Sequence, residues 1–161
     1  MEVAKLSWGV LMKNTGNLDF IIFAIRQEKE AEAFGFKRNE CCRNLKLALH
    51  HYWQNKELGL HGISQKHNVR RSKAAKDKLI NECDVEHAVP LMWIVNELMK
   101  MNLPTKIRVR NLLRKYFRVL LVTKEEHRKL NASGFRSTMP QDWDRRDPWA
   151  RYTAVGIKPI K

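Results

Sequence analysis

Apolar positions along this chain recur mostly at helical spacing and in one place as a short uninterrupted extended run. From 17 to 34 an apolar start, Phe20 to Ile25, leads into Glu28, Lys29, Glu30 and Glu32 before Gly35, which predicts a helix with Asn17 or Asp19 near its cap. From about Asn39 to Glu57, Leu45, Ala48, Leu49, Tyr52 and Trp53 fall at i, i+3, i+4, i+7 and i+8, one stripe of a second helix. Gly59 to Gly62 marks a loop. The strongly basic stretch Asn68 to Lys78 then reads as a short helix. Leu91, Ile94, Val95, Leu98 and Met101 predict a buried helix broken at Leu103-Pro104. Thr105 can cap the next one, in which Val109, Leu112, Leu113, Tyr116 and Phe117 align while the cations point elsewhere. Val119 to Val122 is too brief for a helix and suits a strand. Thr123-Lys124-Glu125-Glu126 directly after it is a capping box, so His127 falls in the first turns of a helix fed by that strand. From Ser133 onward, Pro140, Trp143, Pro148, Trp149, Tyr152 and Gly156 predict irregular structure wrapped on a core.

The predicted fold class is α+β and mainly helical: a short two-stranded element joined to a helix, with additional helices around it. The chain divides into an N-terminal helical basic region, 1–80, and a second region, 81–161, with a helical insertion and a C-terminal coil, the two forming one compact unit. A length of 161 residues suits a single core.

Charge narrows the class of partner. Lysine and arginine number 31 against 17 aspartates and glutamates, a net charge of +14. Such a surface attracts a polyanion, and release of counterions from neutralised phosphates needs no sequence readout. DNA is the expected partner and RNA the alternative. Arg70, Arg71, Lys73 and Lys76 of the basic stretch are candidate nucleic-acid contacts, although a charge run is also what any solvated helix face carries. No apolar run approaches the roughly 20 residues a bilayer demands, so no membrane association is expected. The first residues, Met1 to Leu6, lack a charged leader followed by an apolar core, and no signal peptide is expected. Cys41, Cys42 and Cys83 form an odd set without a CxxC, which fits a reducing cytoplasm and suggests neither disulfides nor a structural zinc.

Candidate chemistry concentrates in Cys83-Asp84-Val85-Glu86-His87-Ala88-Val89-Pro90. A Glu-His pair ending a short apolar run, closed by proline, can join a metal ligand to a general base. Phosphodiester hydrolysis needs an activated water and neutralisation of charge on the phosphate and the departing oxygen. One divalent ion and one histidine of near-neutral pKa supply both. On a strand, Glu86 and His87 leave on opposite faces unless a turn or bulge redirects them.

These residues resemble the HNH, or ββα-metal, nuclease superfamily, whose module is two short strands and a helix that grips one metal ion. Asp84-Val85-Glu86-His87-Ala88-Val89-Pro90 is similar to the family's first-strand pattern Asp-Val-Asp-His-hydrophobic-Val-Pro, and Val119 to Arg128 is similar to its second strand and helix. The resemblance, over 83 to 130, implies a metal-dependent DNA endonuclease in which Glu86 and His127 hold Mg²⁺ or another divalent ion such as Mn²⁺. It further implies that His87 is the general base and that Arg118, Arg128 or Lys129 contacts the scissile phosphate. The family's middle asparagine has no assigned counterpart, and Arg118 stands near its expected place. By the same analogy the setting is bacterial or phage.

Two rivals remain open at this level. One is a non-catalytic nucleic-acid-binding or inhibitory protein that keeps the fold for charge presentation. The other is a metal-independent ribonuclease resembling the HEPN family, in which Arg43 and His50 share one helix face. An amphipathic helix with a buried histidine produces that spacing too.

Overall fold

The computed structural model describes residues 18–38, 42–58 and 69–160. Among them are six α-helices and two strands: α1 (Leu18–Ala33), α2 (Arg43–Leu58), β1 (Cys83–His87), α3 (Leu91–Met99), α4 (Lys106–Tyr116), β2 (Val119–Thr123), α5 (Lys124–Ala132) and α6 (Ala150–Ala154). A 3₁₀ turn, Ile80–Glu82, leads into β1. The chain forms two compact units, Met1–Gly62 with Leu98–Val109, and Ile63–Glu97 with Arg110–Lys161.

In the first unit α1 packs on α2. The stripe read from the sequence is the face that is buried: Leu45, Ala48, Leu49, Tyr52 and Trp53 are all in the core, with Ile21, Ile22 and Ile25 of α1. Burial of such side chains contributes about 1.5–3 kcal/mol each. Lys29 Nζ donates to the Met101 carbonyl at 2.6 Å, and Lys106 pairs with Asp19 at 2.8 Å.

The second unit is built around β2, all five of whose residues are buried. β1 and β2 are antiparallel in an unbroken register, Asp84 opposite Val122 and Glu86 opposite Leu120. The other edge of β2 is covered too. Leu121 N–H donates to Arg70 C=O at 2.7 Å and Ser72 N–H to Leu121 C=O at 2.9 Å, while Lys73 N–H reaches Lys158 C=O at 2.8 Å. The side chains of β2 are buried on both faces of the sheet, which is why Val-Leu-Leu-Val-Thr is apolar without alternation.

This pairing corrects the expectation of a basic helix over 68–78. Position 68 lies outside the described residues; 69–78 is a bridge followed by turns. Ser72 Oγ accepts from Ala75 N–H at 3.1 Å, and the Arg71 guanidinium donates to the carbonyls of Ala75 and Lys78, each at 2.8 Å. Helix propensity is a weak prior, and the backbone groups of 70–72 satisfy themselves on the open edge of β2 instead.

At the end of β2 the expected capping box is present. Glu126 N–H donates to Thr123 Oγ1 at 3.1 Å and Thr123 N–H to Glu126 Oε2 at 2.9 Å. Ser72 Oγ donates to the same carboxylate oxygen at 2.6 Å, so the cap also ties the covering segment to α5. Thr123→Ala should cost about 1 kcal/mol, typical of a lost N-cap, and lower the melting temperature by a few degrees. A thermal melt followed by circular dichroism measures it, and an unchanged midpoint would show the cap to be idle.

Beyond α5 the chain is less irregular than expected. Gly134, at φ 78°, lets Phe135 N–H turn back to Leu130 C=O at 2.9 Å, and Gly156, at φ 76°, does the same for Ile157 and Tyr152 C=O. A left-handed residue after the last helical turn is the usual stop for a helix and favours glycine. Each stop returns an apolar residue to one cluster: Ala88, Leu120, Val122, Leu130, Tyr152 and Ile157 are buried together, with Phe135 and Trp149 against them. Between the two stops lies α6, five residues long and too short to announce itself by periodicity.

Candidate metal-binding and catalytic site

Strand register decides which side chains of β1 can meet α5. Residues two apart share a face, so Asp84 and Glu86 lie with their partners Val122 and Leu120 on the side that carries the cluster of Leu130 and Tyr152. His127 enters this face from the first turn of α5. Its Nδ1 stands 3.0 Å from Asp84 Oδ2, and its Nε2 3.6 Å from Glu86 Oε2. Asp84 and His127 are 43 positions apart in sequence, and the pairing of β1 with β2, which runs directly into α5, brings them together.

A guanidinium holds Glu86 from behind. Arg151 of α6 is fully buried and its Nη2 pairs with Glu86 Oε1. The next residue, Tyr152, donates its hydroxyl to the Glu86 carbonyl at 3.0 Å. Burial pushes the Tyr152 phenol far above its usual range, the nearby Arg151 opposing only in part, so it stays a donor. Cys83, also buried, has its thiol raised by desolvation and is an inert core residue beside the site.

The two proposed metal ligands, Glu86 and His127, are therefore brought side by side. His87 is not brought to them. β1 keeps its alternation through its last residue, and His87 leaves on the opposite face, its ring stacked on Phe117 at 5.5 Å between centroids. Among the described residues no three His, Cys, Asp or Glu side chains are grouped so as to hold one metal ion. The reason is visible in the imidazole: Asp84 addresses Nδ1 and Glu86 addresses Nε2, opposite edges of the ring, so the two carboxylates have no common point.

What the pair can hold follows from its donor chemistry. In the tautomer that carries its proton on Nδ1, His127 donates to Asp84 and its Nε2 lone pair is on the side of Glu86 Oε2. A carboxylate orienting a histidine in this way is the usual support of a metal-ligating imidazole. Glu86 Oε2 and His127 Nε2 stand 3.6 Å apart and would be the two protein donors to such an ion. One carboxylate oxygen and one imidazole nitrogen make a mixed donor pair, which would leave the remaining ligands of a divalent ion to water and phosphate. A proton on both ring nitrogens also satisfies the geometry, making an imidazolium between two carboxylates.

Asp84 had a legible signal, since it stands two before Glu86 in a strand. Arg151 had none: nothing in Trp149-Ala150-Arg151-Tyr152 distinguishes it from the other arginines of a basic chain.

The expected nucleic-acid contacts divide. Arg70, Lys73, Lys76, Arg118, Arg128 and Lys129 are exposed. Arg71 is not available in the same way, because its guanidinium is spent on the turn it folds. Arg118 immediately precedes β2, and its carbonyl accepts from Ala88 N–H at 2.8 Å, which sets it beside the end of β1. Arg128 and Lys129 follow His127 on α5. In the other unit, Arg43 begins α2 and His50 lies on the same helix. Both are exposed; desolvation, followed by the nearby His51, lowers the His50 pKa, and its ring lies 6.2 Å from that of Trp53. Cys42 and Cys83 are buried, and Cys41 lies outside the described residues. No described helix is long and apolar enough to cross a membrane.

Comparison with protein-family models, with curated proteins and with solved structures finds no match to this chain.

Proposed function

We propose that the protein is a metal-dependent endonuclease that hydrolyses phosphodiester bonds of DNA. The observation that carries this reading is the approach of Glu86 Oε2 to His127 Nε2, 3.6 Å, with the other imidazole nitrogen held by Asp84. Glu86 and His127 would hold a divalent ion, Mg²⁺ or Mn²⁺. Such an ion supplies neutralisation of charge on the phosphate and leaving oxygen. Asp84 fixes the tautomer that presents Nε2.

His87 is the residue to which we assign the proton of the attacking water. It is the last residue of β1. Its ring lies on the face of β1 opposite Glu86, stacked on Phe117, so this role requires the imidazole to turn toward a phosphate bound at the strand end. Arg118 stands at the same end and Arg128 and Lys129 follow His127 on α5, all three exposed, and they are the cations we assign to the phosphate backbone. The net charge of +14 supports a phosphate-bearing substrate without selecting its sequence.

Plasmid DNA incubated with purified protein tests the reading. Nicking or linearisation is expected in Mg²⁺ or Mn²⁺ and its loss in excess chelator, and His87→Ala should lower the rate by about 10²–10⁴, the usual contribution of a general base. Cutting that persists in chelator would refute metal dependence. Cutting undiminished in His87→Ala would remove that residue from the chemistry.

A second reading has its own support, because Glu86 Oε1 is occupied by Arg151 and a proton alone can complete the Asp84–His127–Glu86 chain. The protein would then bind nucleic acid without cutting it. Salt-sensitive DNA binding with no cleavage in any divalent ion distinguishes this outcome.

A further inference from the structure

We propose that Arg151 is the positioning residue of the metal site, selecting which oxygen of Glu86 is left to bind a cation; this rests on the metal-dependent reading above. Arg151 is fully buried, and its guanidinium is divided between two segments of chain, 86–88 and 135–136. Nε donates to the Ala88 carbonyl at 2.9 Å, and Nη2 serves both the His87 carbonyl and Glu86 Oε1. Nη1 donates to the Phe135 carbonyl and reaches that of Arg136 at 3.4 Å.

One consequence concerns the carboxylate. With Oε1 engaged by the guanidinium, rotation about the last side-chain bond of Glu86 is arrested, and Oε2 is the oxygen turned to His127 Nε2. Glu86 thus offers a single oxygen rather than a chelating pair, which leaves the other coordination positions of a bound ion to water and phosphate. The second consequence concerns the backbone. Tyr152, the neighbour of Arg151, holds the Glu86 carbonyl at 3.0 Å, so α6 grips residue 86 by main chain and side chain together. The turn after α5 reaches the same guanidinium through the Phe135 carbonyl. Arg151 thereby registers the carboxylate of β1 against the imidazole of α5.

Lysine cannot reproduce this. It is a point charge with three donors on a flexible stem, whereas the planar fork of arginine addresses acceptors in several fixed directions. Arg151→Lys keeps the charge and much of the volume and removes the fork, so it separates positioning from mere neutralisation.

The test is Mn²⁺ binding by the whole purified protein, by calorimetry and by the metal-induced rise in melting temperature, with plasmid cleavage alongside. Arg151→Lys should fold, as judged by circular dichroism, yet raise the Mn²⁺ dissociation constant by about 10- to 100-fold, the usual effect of losing a partner that orients a ligand, with a matching fall in cleavage at low Mn²⁺. A folded variant with wild-type Mn²⁺ affinity and cleavage overturns the proposal while leaving the nuclease reading intact. Should Arg151→Lys fail to fold, Tyr152→Phe keeps the ring in the core and removes the second grip of α6 on residue 86. An Mn²⁺ dissociation constant about threefold or more weaker supports the proposal, and an unchanged one overturns it. Wild-type protein that neither binds Mn²⁺ nor cleaves overturns the proposed function and this inference together.

Discussion

Glu86→Gln and His127→Ala are each expected to lower DNA cleavage about 10³-fold or more, whereas Asp84→Asn should lower it only about 10- to 100-fold. The ordering follows from where each side chain stands. Glu86 Oε2 and His127 Nε2 are the two atoms 3.6 Å apart that would share an ion, and a bound ion contributes several kcal/mol of charge stabilisation in phosphoryl chemistry. A loss of about 4 kcal/mol is three powers of ten in rate. Glu86→Gln is the informative change, because an amide keeps the shape of the carboxylate and an oxygen for Arg151 while removing the negative charge. Asp84 touches only the far edge of the ring, at 3.0 Å from Nδ1. It acts through His127, and partners at that remove are worth less than the ligands themselves. Single-turnover cleavage over a range of Mn²⁺ concentrations checks all three. Equal losses in the three variants would mean that the chain of groups works as one structural cluster, and a Glu86→Gln variant as fast as wild type would remove Glu86 from the reaction.

The parts of this arrangement that could be read from the sequence were those encoded locally. The Thr123 to Glu126 box specifies where α5 begins within one turn, and that alone places His127 at the head of a helix. The apolar run 119–122 has no helical length, so its extended state was legible, and the two-residue period of β1 already places Asp84 beside Glu86. The stripe of α2 was legible for the same reason, since Leu45 to Trp53 needs only a helix to become one face. Non-local contacts were not legible. The basic stretch at 70–78 has helical composition, but 70–72 lie along β2 and the rest forms turns, because that edge offered backbone partners that composition does not reveal. Arg151 is one arginine among many until α6 turns it inward beneath β1. His87 shows the limit from the other side: adjacency in sequence to Glu86 suggested a shared site, while the pleat of the strand separates their side chains.

Arg151→Ala should destabilise the protein by about 3–5 kcal/mol, the cost of leaving one member of a buried ion pair alone, and Glu86→Gln by much less. The asymmetry comes from the alternatives open to each survivor. Without Arg151, the Glu86 carboxylate, largely buried, loses its close cation, and the carbonyls of Ala88, Phe135 and His87 lose a donor in the same stroke. Buried acceptors without donors cost about 1–3 kcal/mol each where water cannot replace the bond. Without the Glu86 charge, by contrast, Arg151 still has those carbonyls, and a glutamine oxygen remains for Nη2 to meet. A charge surrounded by carbonyl dipoles is tolerated where a bare carboxylate is not. Urea unfolding of the two variants, at one pH and with chelator present so that no metal adds to stability, measures the difference. If the two substitutions cost the same, the guanidinium is worth no more than its ion pair, and the two segments it joins are held together by the apolar cluster of Leu120, Leu130 and Tyr152 alone.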